Sequence, residues 1–303
     1  MTLGVLSCAL LLSTTAHAQQ VADTAFAPSI TRPAFAVGAG PLVVVDEAHH
    51  NFHTADGRYQ PFAALLRRDG FTVQGGRATW SDDALRAARV LVVANAVHAS
   101  NEQDWKLPNP SAFEPAEIAA VRRWVEAGGS LLLIADHMPF AGAAEALGQA
   151  FGIEWHDGFA MMNGKPSGPF VFTAAGPHVL GRHAVTDGRA PDERITSVAS
   201  FTGSAFRAPG ATPILTLAPG VLSLKPQVAW EFDGKTARRD VGGWLQGAVL
   251  EVGKGRVAVF GEAAMFSAQL AGAERTPMGM NAPIAPQNPQ FLLNVVRWLA
   301  RAR

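Results

Sequence analysis

The chain has 303 residues, a formal net charge of zero and 25 Lys and Arg residues scattered along its length. Because no basic stripe is present, the sequence argues against nucleic acid as a partner. The only cysteine is Cys8, so residues 9–303 contain no disulfide, thiolate metal site or thiol nucleophile.

The first 18 residues have the pattern of a secretory signal peptide. An apolar run, Leu3–Leu12, precedes Ala-His-Ala at 16–18, which is typical of a cleavage site. We therefore expect a periplasmic or secreted protein in which residues 19–40 form a surface lead-in segment. A membrane anchor is one alternative, but about 10 apolar residues are too few for a span that needs roughly 20. A lipoprotein site at Cys8 is the other.

In the first half of the chain, strand and helix patterns alternate. Short apolar blocks, typical of parallel strands buried on both faces, occupy residues 42–46, 71–73, 90–94 and 131–135. Helical patterns occupy residues 57–69, a segment with Ser81 as its N-cap, a segment that begins at Glu114-Pro115, and residues 142–151. This alternation predicts an α/β fold with a doubly wound parallel sheet and helices on both of its faces.

The second half reads differently, because residues 153–250 are rich in Gly and Pro. Short strand patterns occur at 170–173, 195–200, 214–217 and 228–232. We interpret 153–250 as a β-rich insertion that lies over the carboxyl edge of the sheet. Two further strands, at 247–252 and 256–260, and a helix that buries Phe291, Leu292, Val295, Val296 and Leu299 complete a domain over 41–303.

Four apolar runs end in polar residues that can do chemistry. The first run leads into Asp46-Glu47-Ala48-His49-His50-Asn51, the second into Asn95, the third into Asp136-His137 and the fourth into Glu262. In an open α/β sheet, ligands bind outside the carboxyl ends of such strands. We therefore expect one polar site where these segments converge.

Acid and base chemistry needs carboxylates whose pKa values are shifted by burial or by a neighbouring carboxylate. The catalytic candidates are Asp46, Asp136, His137 and Glu262. Two structural alternatives remain open: Asp136 can fix the following turn, and Glu262 can complement a helix dipole. The candidates for ligand binding are Glu47, His49, His50, Asn51, Asn95 and Gln269.

The segment 46–53 combines three imidazoles with two carboxylates, which together suit Zn, Mn or Fe. We take His49, His50 and His53 as candidate ligands of a divalent metal. The spacing matches no named metal motif, and the alternative is that these histidines are half-exposed loop residues. Among the seven tryptophans, Trp105 and Trp155 are the candidates for a platform on which a sugar ring stacks.

Five segments together resemble exported bacterial proteins of the class I glutamine amidotransferase-like superfamily, in a domain of unknown function that also occurs fused to unsaturated rhamnogalacturonyl hydrolases. They are VVVDEAHHNFHTADGRYQPFAALLRRDGF, RRWVEAGGSLLLIADH, FGIEW, GKGRVAVFGEAAMFSAQ and NPQFLLNVVRWL. The resemblance implies a flavodoxin-like sheet. It does not imply glutaminase activity, because the nucleophilic cysteine of that chemistry is missing and Asp136-His137 follows the corresponding strand.

The preferred hypothesis is an exported carbohydrate-processing enzyme, a hydrolase or a lyase, which is not a glutamine amidotransferase. It rests on the converging strand ends and on the relatives' fusion partners. Its ligand would be a small molecule or a glycan. A non-catalytic glycan-binding or scaffold domain of the envelope is the first alternative. The second is a degenerate fold kept for protein interaction, which would show a shallow pocket and an apolar surface patch.

Overall fold

The computed structural model describes residues 20–302, so the signal-peptide prediction for residues 1–18 lies outside the described residues. The strands are β1 Gln20–Ala22, β2 Leu42–Asp46, β3 Thr72–Gly76, β4 Val90–Ala94, β5 Ser130–Ile134, β6 Glu154–His156, β7 Phe159–Met162, β8 Phe170–Thr173, β9 His178–Leu180, β10 Ser197–Ser200, β11 Ala205–Arg207, β12 Thr212–Thr216, β13 Val221–Lys225, β14 Ala237–Asp240, β15 Leu245–Val252, β16 Gly255–Phe260, β17 Ala268–Ala271 and β18 Thr276–Gly279. The α-helices are α1 Gln60–Arg68, α2 Asp82–Leu85, α3 Pro115–Ala127, α4 Phe140–Gln149, α5 Ala184–Asp187 and α6 Asn288–Ala300.

Five neighbouring parallel strands form the centre of the largest sheet, in the spatial order β3-β2-β4-β5-β16. All five residues of β4 and of β5 are buried. Continuous burial explains why these two strands show an unbroken apolar pattern rather than an alternating one. The predicted α/β class is therefore confirmed, with the strands at 42–46 and 90–94 in the expected places.

The helices cover both faces of this sheet. Helices α1 and α6 pack on one face, where Phe62 and Leu292 belong to the same buried cluster. Helices α3 and α4 pack on the other face, through residues such as Val121 and Leu147. The connection that leaves β2 therefore runs to one face, whereas the connection that leaves β4 runs to the other. A crevice forms between two neighbouring strands of this kind at their carboxyl ends.

Local signals account for the helix ends. Ser81 caps α2 as predicted, since its hydroxyl accepts a hydrogen bond from the backbone N–H of Ala84 at 3.1 Å. Helix α3 ends at Gly128, whose φ of 125° is readily adopted only by glycine. None of the helices within residues 20–302 is long and apolar enough to cross a membrane.

The β-rich segment differs from the expected insertion, because most of it extends the central sheet. Strand β15 pairs antiparallel with β16, and the sheet continues through β12, β9, β8 and β10. A smaller part, β7, β13 and β14, forms a separate three-stranded sheet. The prediction of a strand at 228–232 is wrong, since this segment makes only one isolated β-bridge, between Val228 and Lys106.

The lead-in segment is tied to the fold. Strand β1 pairs antiparallel with β17, and β17 pairs with β18. Phe26, Ile30 and Phe35 are partly buried against the core on the face that carries α1 and α6. Residues 20–40 are therefore packed against the domain, which their Ala-, Pro- and Gly-rich composition did not indicate.

Candidate functional site

The carboxyl ends of β2, β4, β5 and β16 lie side by side, as the strand order requires. Asp46, Asn95, Asp136 and Glu262 are all buried there. Their side chains divide into two groups with different partners. One group is centred on Asp136 and Glu262, and the other on Asp46.

Asp136 is held from several sides. Its backbone N–H donates to Oδ1 of Asn95 at 2.9 Å, which joins the ends of β5 and β4. Its carboxylate accepts hydrogen bonds from the backbone N–H groups of His137 at 2.8 Å and Ala263 at 3.3 Å. The hydroxyl of Thr202 lies 3.4 Å from Oδ1. These contacts fix the orientation of Asp136, and they include the turn-fixing role considered above.

Glu262 follows the carboxyl end of β16 and is completely buried. Its two carboxylate oxygens accept from the backbone N–H groups of Ala264 at 2.9 Å and Met265 at 2.7 Å. Burial, and next the nearby Asp136 carboxylate, raise the pKa of Glu262 well above its ordinary value. Burial therefore favours the neutral form of Glu262 and separates its carboxyl group from solvent.

His137 sits among aromatic rings. It stacks on Phe159 with a centroid distance of 4.4 Å and meets the edge of Trp230 at 4.7 Å. Phe140 lies at 5.7 Å. Its Nδ1 lies 2.7 Å from the carbonyl oxygen of Met138 and donates to it, which leaves Nε2 as the acceptor nitrogen of the neutral ring.

A pocket of about 150 Å³ opens next to these residues. Phe159, Phe170, Phe201 and Trp230 supply its aromatic lining, and Thr202 connects it to Asp136. Trp230 is 43% exposed, which is unusual for so large an apolar side chain. The pocket thus has an aromatic lining and lies beside the Asp136 carboxylate.

Gly203 allows the pocket wall to approach the carboxylates closely. Its φ is 123°, and a Cβ at this position would lie 2.4 Å from the carbonyl oxygen of Gly261 and 3.1 Å from Cβ of Glu262. Only glycine fits such an approach without strain. The loop that carries Thr202 can therefore lie directly over Glu262.

Asp46 belongs to the second group, in which the polar side chains are bonded to one another. Its carboxylate lies 2.8 Å from Nδ1 of His49, and Nε2 of the same ring lies 3.1 Å from Glu117 of α3. Trp80 donates to Asp46 from its indole and to Glu117 from its backbone. Burial opposes a charge on His49, but both carboxylates outweigh it and raise its pKa. This arrangement joins β2 to α3 and uses the polar atoms that we expected to reach a ligand.

Three other candidates have local roles. Glu47 accepts from the backbone N–H of Ala55 at 3.0 Å and pairs with Arg77 at 3.2 Å. His50 is exposed and lies 3.0 Å from Glu102. Gln269 is buried in β17, where its amide donates to the hydroxyl of Ser267.

The three histidines taken as candidate metal ligands do not converge on one point in the described part of the chain. Within residues 20–302 no group of three His, Asp or Glu side chains could hold a metal ion. His49, His50 and His53 have separate surroundings, because the first lies between two carboxylates and the second is on the surface. His53 is fully buried, and this burial, followed by the charges of Arg58 and His137, lowers its pKa to about 3.

Several residues of the site were not identified from the sequence. Tyr59 is buried and donates from its hydroxyl to the carbonyl oxygen of Ala263 at 3.0 Å. Trp230 lines the pocket, whereas Trp155, one of the expected platform residues, packs against Phe206 in the core. Trp105 is the other expected platform residue, and its ring centroid lies 6.0 Å from that of His137. The sequence predicts a strand at 228–232 that contains Trp230, whereas this residue lies in a loop that lines the pocket.

No protein-family model matches the chain, and no curated protein matches it. Among solved structures, the mmIFT52 N-terminal domain is similar with a TM-score of 0.56 and 13% identity, over 85% of this chain and 96% of that one. Cytoplasmic protein STM3548 from Salmonella typhimurium has a TM-score of 0.50 and 15% identity, over 86% and 98% of the two chains. A ThuA-like protein from Bacteroides uniformis has a TM-score of 0.48 and 13% identity, over 90% and 94%. At these identities the likeness concerns the fold alone.

Proposed function

We propose that the protein binds a carbohydrate in the aromatic pocket and processes it as a hydrolase or lyase, with Asp136 as the acid or base. The observation that carries this proposal is the half-exposed Trp230 on a pocket that reaches Asp136 through Thr202. Sugar rings present flat C–H faces that pack on aromatic rings, while their hydroxyls need polar partners nearby. The pocket provides both kinds of surface.

The carboxylate pair supports acid or base chemistry. Two carboxylates packed together in a buried site do not both ionise, so one retains a proton. The raised pKa of Glu262, caused by burial and by Asp136, assigns that proton to Glu262. Asp136, which contacts the pocket residue Thr202, is the carboxylate that accepts a proton from water or from a sugar in this proposal. Glu262 acts as a positioning residue, because it is fully buried and does not reach a ligand.

His137 is the second group that can act on a ligand in this proposal. Its Nδ1 donates to the Met138 carbonyl at 2.7 Å, which holds the ring in one tautomer with Nε2 free to accept a proton. The ring stacks on Phe159, a residue of the pocket lining. His137 and Asp136 therefore provide two proton acceptors at one pocket.

The experiment is a screen of the purified protein against plant-wall and bacterial oligosaccharides, with products separated by chromatography. Asp136→Asn should abolish product formation, since the amide cannot accept a proton, while the thermal unfolding temperature changes little. Asp83→Asn, at an exposed position of α2, is the matched control and should keep full activity. Activity that persists in Asp136→Asn would contradict the assignment of Asp136.

A non-catalytic glycan-binding domain is the second candidate, and one observation favours it. The carboxylates of Asp136 and Glu262 both accept backbone hydrogen bonds, which is also what a purely structural pair would do. This candidate predicts that Trp230→Ala abolishes sugar binding and that no oligosaccharide is cleaved. Binding without product would favour this candidate over the enzyme.

The strand order also supports a finer classification of the fold. We propose a flavodoxin-like arrangement, because the parallel strands follow the order 2-1-3-4-5 when numbered along the chain. Membership of the class I glutamine amidotransferase-like superfamily is proposed on the sequence segments that resemble it. An alignment of homologues whose shared positions fall on β2, β5 and β16 would test it, and matches confined to single strands would contradict it.

Export to the periplasm or medium remains a proposal that rests on the apolar run Leu3–Leu12 and the Ala-His-Ala that follows. Amino-terminal sequencing of protein recovered from the periplasmic fraction tests it. We expect a chain that begins at Gln19. Recovery of the uncleaved chain from the cytoplasm would contradict the proposal.

A further inference from the structure

Four polar side chains in the loops after β2 and β4 have buried hydrogen-bonding atoms that lack a partner within residues 20–302. They are the amide nitrogens of Asn51 and Asn95, both ring nitrogens of His53 and Nε of Arg58. Native proteins rarely leave several buried donors unpaired in one place, because each one has lost its hydrogen bonds to water. A ligand that supplies acceptors would explain the cluster.

The two amides have defined orientations. The side-chain oxygen of Asn95 accepts from the backbone N–H of Asp136 at 2.9 Å, and that of Asn51 accepts from the backbone N–H of His49 at 3.1 Å. Because each oxygen is held in this way, each amide nitrogen is the free end. The backbone N–H of Phe52 donates to the carbonyl oxygen of Asn95 at 2.9 Å, which joins the two loops. Both amides therefore lie at the crevice between β2 and β4.

Arg58 supplies the positive charge in this region. Its guanidinium lies 3.7 Å above the ring centroid of Phe52, and Phe52 contacts Trp105 and Phe140, two rings that also surround His137. Arg58 forms no salt bridge with the carboxylates of the described chain. Burial lowers its pKa without an opposing carboxylate. A half-buried arginine in this state is ready to pair with an anion.

We propose that Arg58, together with the free amides of Asn51 and Asn95, binds a carboxylate group of the ligand. This inference rests on the proposed function and narrows its substrate class to acidic sugars. A carboxylate fits better than a phosphate for two reasons. A planar carboxylate matches the guanidinium fork, and a dianion would be repelled by the nearby Asp136 with only one arginine to offset it. His53 is buried and stays neutral, so it adds no second positive charge.

Isothermal titration calorimetry at low salt tests this inference with two matched pairs of sugars. They are galacturonate with galactose and glucuronate with glucose, and the members of a pair differ only at the sixth carbon. At least one uronate should bind the wild type about tenfold more tightly than its neutral partner. Arg58→Gln should remove that preference and leave the affinity for the neutral sugar unchanged. Arg58→Lys should restore part of it, because the charge returns without the planar fork.

Arg68→Gln is the control, because Arg68 is an exposed arginine close by in the chain, and it should keep the preference. Equal binding of uronate and neutral sugar by the wild type, or an unchanged preference in Arg58→Gln, would overturn the inference and leave the proposed function standing. Tighter binding of galactose 6-phosphate than of galacturonate would also overturn it. If none of these sugars binds, the proposed function and this inference both fail.

Discussion

Asp136 and Glu262 show how one pair of residues can serve the fold and the chemistry together. Each carboxylate accepts backbone hydrogen bonds that shape the strand ends, as a structural role requires. Burial and the neighbouring Asp136 carboxylate nevertheless raise the pKa of Glu262. A carboxyl pKa that is raised in the folded state costs stability above the ordinary pKa, because the unfolded chain releases the proton more readily. Proteins tolerate such a cost mostly where the group has a use.

Stability should therefore depend on pH through Glu262. Its pKa is raised in the folded state, so above about pH 4.5 the unfolded state loses this proton first and the wild type becomes less stable as pH rises. Glu262→Gln removes the ionisation, and relative to it the wild type should lose up to about 1.4 kcal/mol per pH unit until the folded pKa is reached. Urea unfolding between pH 4 and 8 measures this, with Glu145→Gln on α4 as an exposed control. A stability difference that is constant with pH would contradict the assignment.

His53 should act in the opposite direction. Burial, then Arg58 and His137, lower its pKa to about 3, whereas the unfolded chain titrates near the ordinary value of 6.5. The contribution of the neutral His53 ring to the free energy of unfolding is therefore complete above pH 6.5 and decreases as the pH falls towards 3. Relative to His53→Phe, the wild type should lose roughly 2 kcal/mol between pH 8 and pH 5. NMR of the imidazole should show a neutral His53 ring at pH 5, and a ring protonated at that pH would contradict its burial.

At the residue scale, the strand-end rule predicted Asn95, Asp136 and Glu262 at one edge, and the structure places them there. The rule could not predict the direction in which each side chain points. Asp46 and His49 turn to Glu117, a helix residue that has no recognisable motif in the sequence. Arg58 and Trp230 were missed because local patterns assign them to a helix at 57–69 and a strand at 228–232, whereas both lie in loops.

At the element scale, apolar periodicity predicted the central strands and the major helices, because their burial is continuous or one-sided. It did not predict how the β-rich segment joins the sheet. The pairing of β15 with β16 depends on a Gly253-Lys254 turn, and that pattern fits a separate hairpin equally well. Long-range pairings such as β12 with β15 leave no trace in local pattern.

Helix α6 is anchored by a buried ion network. Arg297 donates from Nε to Asp69 at 2.8 Å and from a terminal nitrogen to Glu193 at 3.0 Å, and all three side chains are nearly inaccessible. Arg297→Met leaves both carboxylates buried without this partner and should lower the free energy of unfolding by about 3–5 kcal/mol. Urea denaturation measures the loss. The exposed control Arg86→Met on the other face should lower the free energy of unfolding by under about 0.5 kcal/mol. An equal loss in Arg297→Met and Arg86→Met would show that the buried network adds no stability.

At the scale of the whole molecule, the mixed sheet brings residues separated by more than 200 positions in sequence to one edge. The loops after β2 and β4 meet at a crevice, because the chain leaves β2 towards one face of the sheet and leaves β4 towards the other. The ends of β5 and β16 complete the site. The small sheet of β7, β13 and β14 contributes Phe159 to the pocket. The fold thus explains the position of the site, while the ligand depends on the side chains that line it.

The most direct measurement is ¹⁵N NMR of the tryptophan indole groups during titration with acidic and neutral sugars, with the Trp230 signal assigned from Trp230→Phe. We predict that the indole signal of Trp230 shifts on binding, whereas the signal of Trp155, which is buried against Phe206, stays in place. Shifts that are absent from Trp230 while another tryptophan responds would place the ligand elsewhere and contradict a carbohydrate site beside Asp136.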